Sequence, residues 1–341
     1  MRHHPITLRR ALAALALLSA LNPLWAKTPT SPVPAAPADA PAAACPPQAT
    51  TPTPQQLQAA RAQARDRGAL WRLERDGRVS WLYGTLHLGK LEWAVPGPQV
   101  TRALLAVDAV ALEVDVSDPG LATQMKATTP PAVPAALQAR LAKQAVAACV
   151  PVDALAGFPP LLQVLTLSGL DARWIGLDPA YGIEHVLGGF AKARKLPLIA
   201  LETAAMQLQA LVPTQPEEAE HALETSLSQL ESGLSRRVMA RLGQAWADGD
   251  LDTVASYEAW CECVTAEADR AALRRLNDER NPGMANRITA LHGDGQRLFA
   301  AVGLLHMTGP QALPKLLAER GFQVERIALQ AQPPQQPQQP Q

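Results

Sequence analysis

Apolar positions along the chain fall into short runs separated by polar, proline-rich or glycine-rich breaks, and the spacing within each run predicts its element. Residues 69–74 (Ala-Leu-Trp-Arg-Leu-Glu) and 79–83 (Val-Ser-Trp-Leu-Tyr) flank Asp76-Gly77. An Asp-Gly pair between two apolar-rich runs is a strong hairpin signal. Residues 98–107 have helical spacing, and residues 107–114 form an apolar run interrupted near its start by Asp108 and carrying Glu113, the pattern of a buried strand. Residues 119–170 read as helices broken at Pro130-Pro131, Pro134 and Pro159-Pro160. A helix over about 180–195 follows, then a short strand over 196–203 that carries Glu202. Residues 204–277 are helical, with Trp246, Tyr257 and Trp260 at plausible core positions. Asn281 is placed to cap a further helix with Pro282 in its first turn, and Gly293-Asp294-Gly295 closes it. A strand over 298–303, a helix over 310–319 and a last strand over 323–327 complete the chain. Alternating strands and helices predict an α/β fold with a mixed central sheet and a helical insertion between its first and last parts.

The two ends follow other rules. Residues 1–26 read as a secretory signal peptide: Arg2, Arg9 and Arg10, an apolar run over 11–21, and the small residue Ala26 at a cleavage point. An uncleaved N-terminal anchor is the competing reading. No cysteine ends the apolar run, so a lipoprotein anchor is not expected. Residues 27–54 are rich in Pro, Ala and Thr and cannot bury a core, which predicts a flexible spacer. Residues 330–341 are almost entirely Gln and Pro and are expected to be disordered. One domain over 55–329 remains. No later run reaches the length of a membrane span, so no transmembrane helix is expected in the mature chain. The expected location is exported, periplasmic or secreted.

Charge changes the picture little. The chain holds 31 basic and 31 acidic residues, and loss of the signal leaves 28 basic against 31 acidic. That balance argues against a nucleic-acid partner. An exported chain permits disulfides among Cys45, Cys149, Cys261 and Cys263. Cys261-Glu262-Cys263 resembles half of a zinc site, but no second pair has matching spacing. At least one bond from Cys261 or Cys263 to a distant cysteine is expected.

The candidate chemistry sits at strand ends. Trp81-Leu82-Tyr83-Gly84-Thr85-Leu86-His87 and Leu298-Phe299-Ala300-Ala301-Val302-Gly303-Leu304-Leu305-His306 share one design: an apolar run, a glycine, and a histidine three residues later. Two imidazoles brought together in this way can bind a metal or share a proton. Glu113 and Glu202 end two further apolar runs, and a carboxylate at the end of a buried strand needs a partner. All four are expected on one rim of the sheet.

These motifs, with Gly176-Leu177-Asp178 before a helix, Gln207 after Leu201-Glu202-Thr203, Arg280-Asn281, and Gly309 after His306, resemble the TraB/GumN family of bacterial exported or membrane proteins, relatives of the TIKI metalloproteases. The resemblance covers residues 68–328. It implies an α/β fold with two related halves, each giving one Gly-x-x-His, and a hydrolase-like site that in the TIKI branch is a divalent-metal-dependent peptidase. On that basis the candidate catalytic residues are His87, His306, Glu113, Glu202, Arg280 and Asn281, with Gly84 and Gly303 as motif glycines. His87, His306 and Glu113 are the candidate ligands for a divalent metal: manganese, cobalt, zinc or iron. Arg280 is expected to clamp an oxyanion or a substrate carboxylate, oriented by Asn281. The substrate is expected to be a peptide or a small molecule. Two alternatives stay open: a metal-free, esterase-like site with a histidine base, and a non-catalytic periplasmic binding or scaffold protein.

Overall fold

The computed structural model describes residues 45–115, 118–126 and 129–328. The expected signal peptide, residues 27–44 of the expected spacer, and the expected Gln/Pro tail lie outside the described residues.

Six strands form one mixed sheet: β1 (Ala69–Arg75), β2 (Arg78–Thr85), β3 (Ala109–Leu112), β4 (Leu198–Ala200), β5 (Leu298–Gly303) and β6 (Gln323–Ile327). Their spatial order is β4-β3-β5-β2-β1-β6. The hairpin forms as its sequence predicts. Arg75 pairs with Arg78 across the turn, and Asp76 and Gly77 take φ of 52° and 69°. Two successive positive φ values match the right-handed twist of the flanking strands. β1 also pairs antiparallel with β6. β2 with β5, β5 with β3, and β3 with β4 are all parallel. β3 and β5 are buried over nearly their whole length, which explains their unbroken apolar sequences.

The helices are α1 (Pro54–Ala62), α2 (Pro98–Leu105), α3 (Leu121–Lys126), α4 (Ala135–Ala147), α5 (Pro160–Asp171), α6 (Ile183–Arg194), α7 (Ala204–Leu211), α8 (Pro216–Glu231), α9 (Leu234–Asp248), α10 (Leu251–Ala255), α11 (Tyr257–Trp260), α12 (Glu267–Leu276), α13 (Asn281–Gly293) and α14 (Leu313–Glu319). α6 packs on β3 and β4, α13 on β5, and α14 on β6. α4, α5, α8 and α9 pack mainly on one another, as the expected helical insertion. Trp246 of α9 ties this layer to the sheet. It is fully buried, meets Trp93 at a tilt with 5.2 Å between ring centroids, and donates Nε1–H to the Gly84 carbonyl at 2.8 Å.

Four expectations need correction. Tyr257 and Trp260 are half-buried and not core; they meet edge-on at 5.3 Å, and the Arg241 guanidinium lies 4.2 Å over Trp260, so amphipathic rings cover this corner. The strand expected over 196–203 shortens to three residues, Leu198–Ala200. The cysteines pair as Cys45–Cys149 and Cys261–Cys263, not across the two groups. A bond between cysteines two residues apart is possible because Glu262 takes φ 55° and brings their Cα atoms to 5.0 Å. Finally, residues 45–53 are held by the domain, although their composition predicts a free spacer. Cys45 is bonded to Cys149, Pro46 is buried, and Ala49 N–H donates to Asp178 Oδ2 at 3.1 Å. No helix among the described residues is long and apolar enough to cross a membrane.

Candidate functional site

Because β2, β5, β3 and β4 run parallel, the chain leaves all four at the same edge of the sheet. Gly84 pairs with Val302 and Thr85 with Gly303, so the two Gly-x-x-His segments depart side by side, one residue out of step. His87 follows β2. Glu113 directly follows β3, and Glu202 follows β4. His306 lies in a tight turn, Leu304–Met307, after β5. The backbone N–H of Glu202 donates to the Glu113 carbonyl at 2.8 Å, which sets the two glutamates next to each other.

Arg280, in the turn just before α13, joins them. Its Nη2 lies 2.5 Å from Glu113 Oε2 and 2.5 Å from Glu202 Oε2, and its Nε donates to Glu202 Oε2 at 3.1 Å. Nη1 donates to the Leu276 carbonyl at 2.9 Å. The Gly303 N–H donates to Glu113 Oε1 at 2.8 Å, and Gln207 Nε2 donates to Glu113 Oε2 at 3.0 Å. Burial alone raises a carboxyl pKa; here the Arg280 charge, joined by those of His306 and His87 and by the Gly303 N–H, outweighs it and holds Glu113 far below the usual carboxylate range. Burial lowers the pKa of Arg280, and the carboxylates of Glu113 and Glu202 reverse that, leaving it raised.

Asn281 does not cap α13, because the Arg280 backbone takes that place. Nor does Asn281 orient Arg280. Its Nδ2 donates to the carbonyls of His306 at 3.2 Å and Gln311 at 2.7 Å, so its Oδ1 faces His306 Nδ1 at 2.6 Å. An amide oxygen only accepts, so Nδ1 carries the proton and Nε2 keeps its lone pair. Nε2 faces Arg280 Nη1 at 3.5 Å and Glu113 Oε1 at 4.0 Å. Burial lowers the His306 pKa to about 4 against the attraction of Glu113, and the Arg280 charge pushes the same way.

His87 has the opposite character. Its Nδ1 lies 3.0 Å from Glu184 Oε1, on the first turn of α6, and Thr85 Oγ1 donates to the same oxygen. Burial disfavours the imidazolium; the Glu184 carboxylate 3.0 Å from Nδ1, with a further contribution from the Glu113 charge, overcomes that and raises the pKa to about 9. The charges of Glu113 and Arg280 are felt at His87 as well, in opposite directions. Protein surrounds the ring, yet 36% of the His87 side chain meets solvent, against 5% for His306. His87 is therefore the more exposed of the two imidazoles.

Sequence reasoning missed Glu184. The available signal was a glutamate in the first turn of a helix just after Gly182, which reads equally well as complementing the helix dipole. The Gly176-Leu177-Asp178 motif holds the His87 segment. Asp178 and Gly89 exchange backbone hydrogen bonds at 2.8 and 3.1 Å, and Ile183 N–H donates to the Leu86 carbonyl at 3.0 Å. Arg173 Nε pairs with Asp178 Oδ2 at 2.7 Å. Gly182 permits the close approach: a Cβ there would meet the His87 carbonyl oxygen at 2.5 Å. Gly182→Ala is therefore expected to lower stability by about 1–3 kcal/mol through overpacking. Urea unfolding reads it, and a loss under about 0.5 kcal/mol, the scale of an ordinary surface substitution, means that the His87 segment yields freely.

The candidate metal ligands can be tested against this geometry. Both Glu113 oxygens are engaged, and the Arg280 guanidinium, itself a cation, lies between Glu113 and His306 Nε2. Among the described residues no group of three or more His, Cys, Asp or Glu is arranged to hold a metal ion. As arranged, His87, His306 and Glu113 do not fit a divalent cation.

The family model of the TraB/PrgY/gumN family matches residues 69–326. A relative described as uncharacterized protein YbaP, from Shigella flexneri, is 25% identical over 256 residues, covering 70% of this chain and 88% of the relative. No solved structure matches. The matched segment runs from β1 to β6 and holds each of the candidate site residues, so the chain belongs to the TraB/PrgY/gumN family.

Proposed function

We propose that this protein is an exported hydrolase of acyl bonds, ester or peptide, that works by a histidine acid–base pair. The observation that carries this reading is the opposite surroundings of two imidazoles at the ends of adjacent parallel strands: buried His306 faces Asn281 Oδ1 and Arg280, whereas the more exposed His87 faces Glu184. His306 is neutral with a fixed Nε2 lone pair, and His87 is a solvent-accessible imidazolium. Environments that push two titratable groups apart are the usual basis of acid and base roles at one pH. His306 Nε2 takes the proton of the attacking water. The His87 imidazolium stabilises the developing oxyanion and protonates the leaving group. Glu184 keeps His87 charged, and Asn281 keeps His306 in the acceptor tautomer. Arg280, Glu113 and Glu202 form the charged floor, with the guanidinium held by protein carboxylates in place of a substrate's. The basic, apolar and small-residue order of residues 1–26 and the two disulfides support export.

The test is the pH dependence of hydrolysis on a panel of chromogenic esters and peptides, with and without EDTA. The base must be unprotonated, so activity rises with pH through about 4, the value of His306. The acid must keep its proton, so activity falls as pH rises through about 9, the value of His87. The expected profile is a broad bell between these limbs, unchanged by EDTA. NMR titration of the imidazole Cε1 protons reads the same two values without a substrate. Activity lost to EDTA and restored by manganese, cobalt, zinc or iron overturns the metal-free assignment. Absence of turnover across the panel favours the binding or scaffold reading.

A further inference from the structure

Outside the rim of the sheet, the chain carries a second piece of unused chemistry. Cys261 and Cys263 enclose a single residue, Glu262, between α11 and α12. So short a loop constrains the unfolded chain very little, since the entropic benefit of a cross-link grows with the length it closes. Cys45–Cys149 spans 104 positions and has that benefit in full. The short bond also has a conformational penalty. Glu262 sits at φ 55°, in the left-handed region that a side chain disfavours, and opening the bond frees it to leave. A weakly stabilising bond at a strained backbone position is the kind that exchanges.

The two sulfurs are not equivalent. Cys261 is fully buried, whereas Cys263 is partly exposed. The Cys263 N–H donates to Cys261 Sγ at 3.1 Å, a contact that stabilises negative charge on that sulfur. The Tyr257 hydroxyl lies 3.2 Å from Cys263 Sγ and can donate to it once it becomes a thiolate. We infer that Cys261–Cys263 is a thiol–disulfide exchange site that accepts electrons from a dithiol, with Cys263 as the sulfur attacked and Cys261 as the leaving thiolate.

A partner thiolate attacks Cys263 Sγ; the mixed disulfide forms as the Cys261–Cys263 bond breaks, and Cys261 Sγ leaves with the electron pair. The partner's second thiolate then attacks its own sulfur in the mixed disulfide, and Cys263 Sγ leaves. Two electrons pass to the protein pair, the partner gains one disulfide, and the two protons of its thiols end on Cys261 and Cys263.

The experiment equilibrates the oxidised full chain in glutathione buffers of graded poise, quenches by alkylation, and maps both cysteine pairs. Cys261–Cys263 is expected to have an equilibrium constant for reduction at least tenfold larger than that of Cys45–Cys149, about 30 mV for this two-electron couple. Dithiothreitol at stoichiometric concentration should open it first. Single variants test the direction: Cys261→Ser should leave Cys263 able to form a glutathione adduct, and Cys263→Ser should leave Cys261 unmodified in the folded chain. The titration of the unaltered protein stands if a variant fails to fold. Simultaneous opening of the two pairs, earlier opening of Cys45–Cys149, or adduct formation on Cys261 in place of Cys263 overturns the proposal.

Discussion

Arg280→Ala is expected to lower the unfolding free energy by about 3–5 kcal/mol. The Arg280 side chain is 14% exposed, and those of Glu113 and Glu202 are 7% and 2% exposed. Removing the cation leaves two buried carboxyl groups that face each other, with Gln207 and the Gly303 N–H as the remaining donors among the described residues. One of them must take a proton or draw in water, and each route gives up stability. Arg280→Lys should fall between the two. It keeps the charge but loses the planar fork that reaches both glutamates and the Leu276 carbonyl together. The combination Arg280→Met, Glu113→Gln and Glu202→Gln should recover much of the loss, since an uncompensated buried charge is the main penalty. Urea unfolding at neutral pH reads the series. A loss below about 1 kcal/mol for Arg280→Ala, no more than an exposed ion pair is worth, means that water already reaches the carboxylates and that the floor of the site is wet.

How far the sequence reveals such an arrangement depends on the range of the interaction. The Asp76-Gly77 hairpin, the apolar strands β3 and β5, and the helix that ends at Gly293 are local patterns, and each is legible in a few consecutive residues. The convergence of His87, Glu113, Glu202 and His306 on one edge follows from a weaker rule: parallel strands deliver their ends to a common rim. Partner choice was not legible. Arg280 reads as a free clamp in the sequence because nothing there says that Glu113, 167 positions away, will bind it. Asn281-Pro282 reads as a helix cap because local chemistry makes that the commonest use of Asn before Pro; the long-range demand of His306 overrides it. Glu184 escaped because its partner, the imidazole of His87, lies 97 positions earlier in the chain. The cysteines failed in the opposite direction. A long-range bond was expected, yet Cys261–Cys263 is as local as a disulfide can be short of adjacent residues.

His306→Ala is expected to lower kcat/KM by about 10²–10⁴, the range a positioned general base supplies. Loss of activity alone does not separate a base from a structural residue, because His306 is buried and holds Asn281 in place. Asn281→Asp separates them. The new carboxylate keeps an acceptor near His306 Nδ1, and it adds a negative charge that favours the imidazolium. An opposite charge at this range shifts a pKa by about 1–3 units, so the acidic limb of the activity profile should move upward from about 4 by roughly one unit or more. The sign is fixed: a base that holds its proton more tightly becomes active only at higher pH. The same substitution gives up the donors to the carbonyls of His306 and Gln311, so a stability loss of about 1–3 kcal/mol should accompany the shift. His87→Gln should remove the alkaline limb near 9 and, because the His87 charge also helps hold the His306 pKa down, move the acidic limb upward from about 4. An acidic limb that stays near 4 in Asn281→Asp, in a variant shown by NMR to be folded, means that another group sets it, and the base assignment of His306 fails.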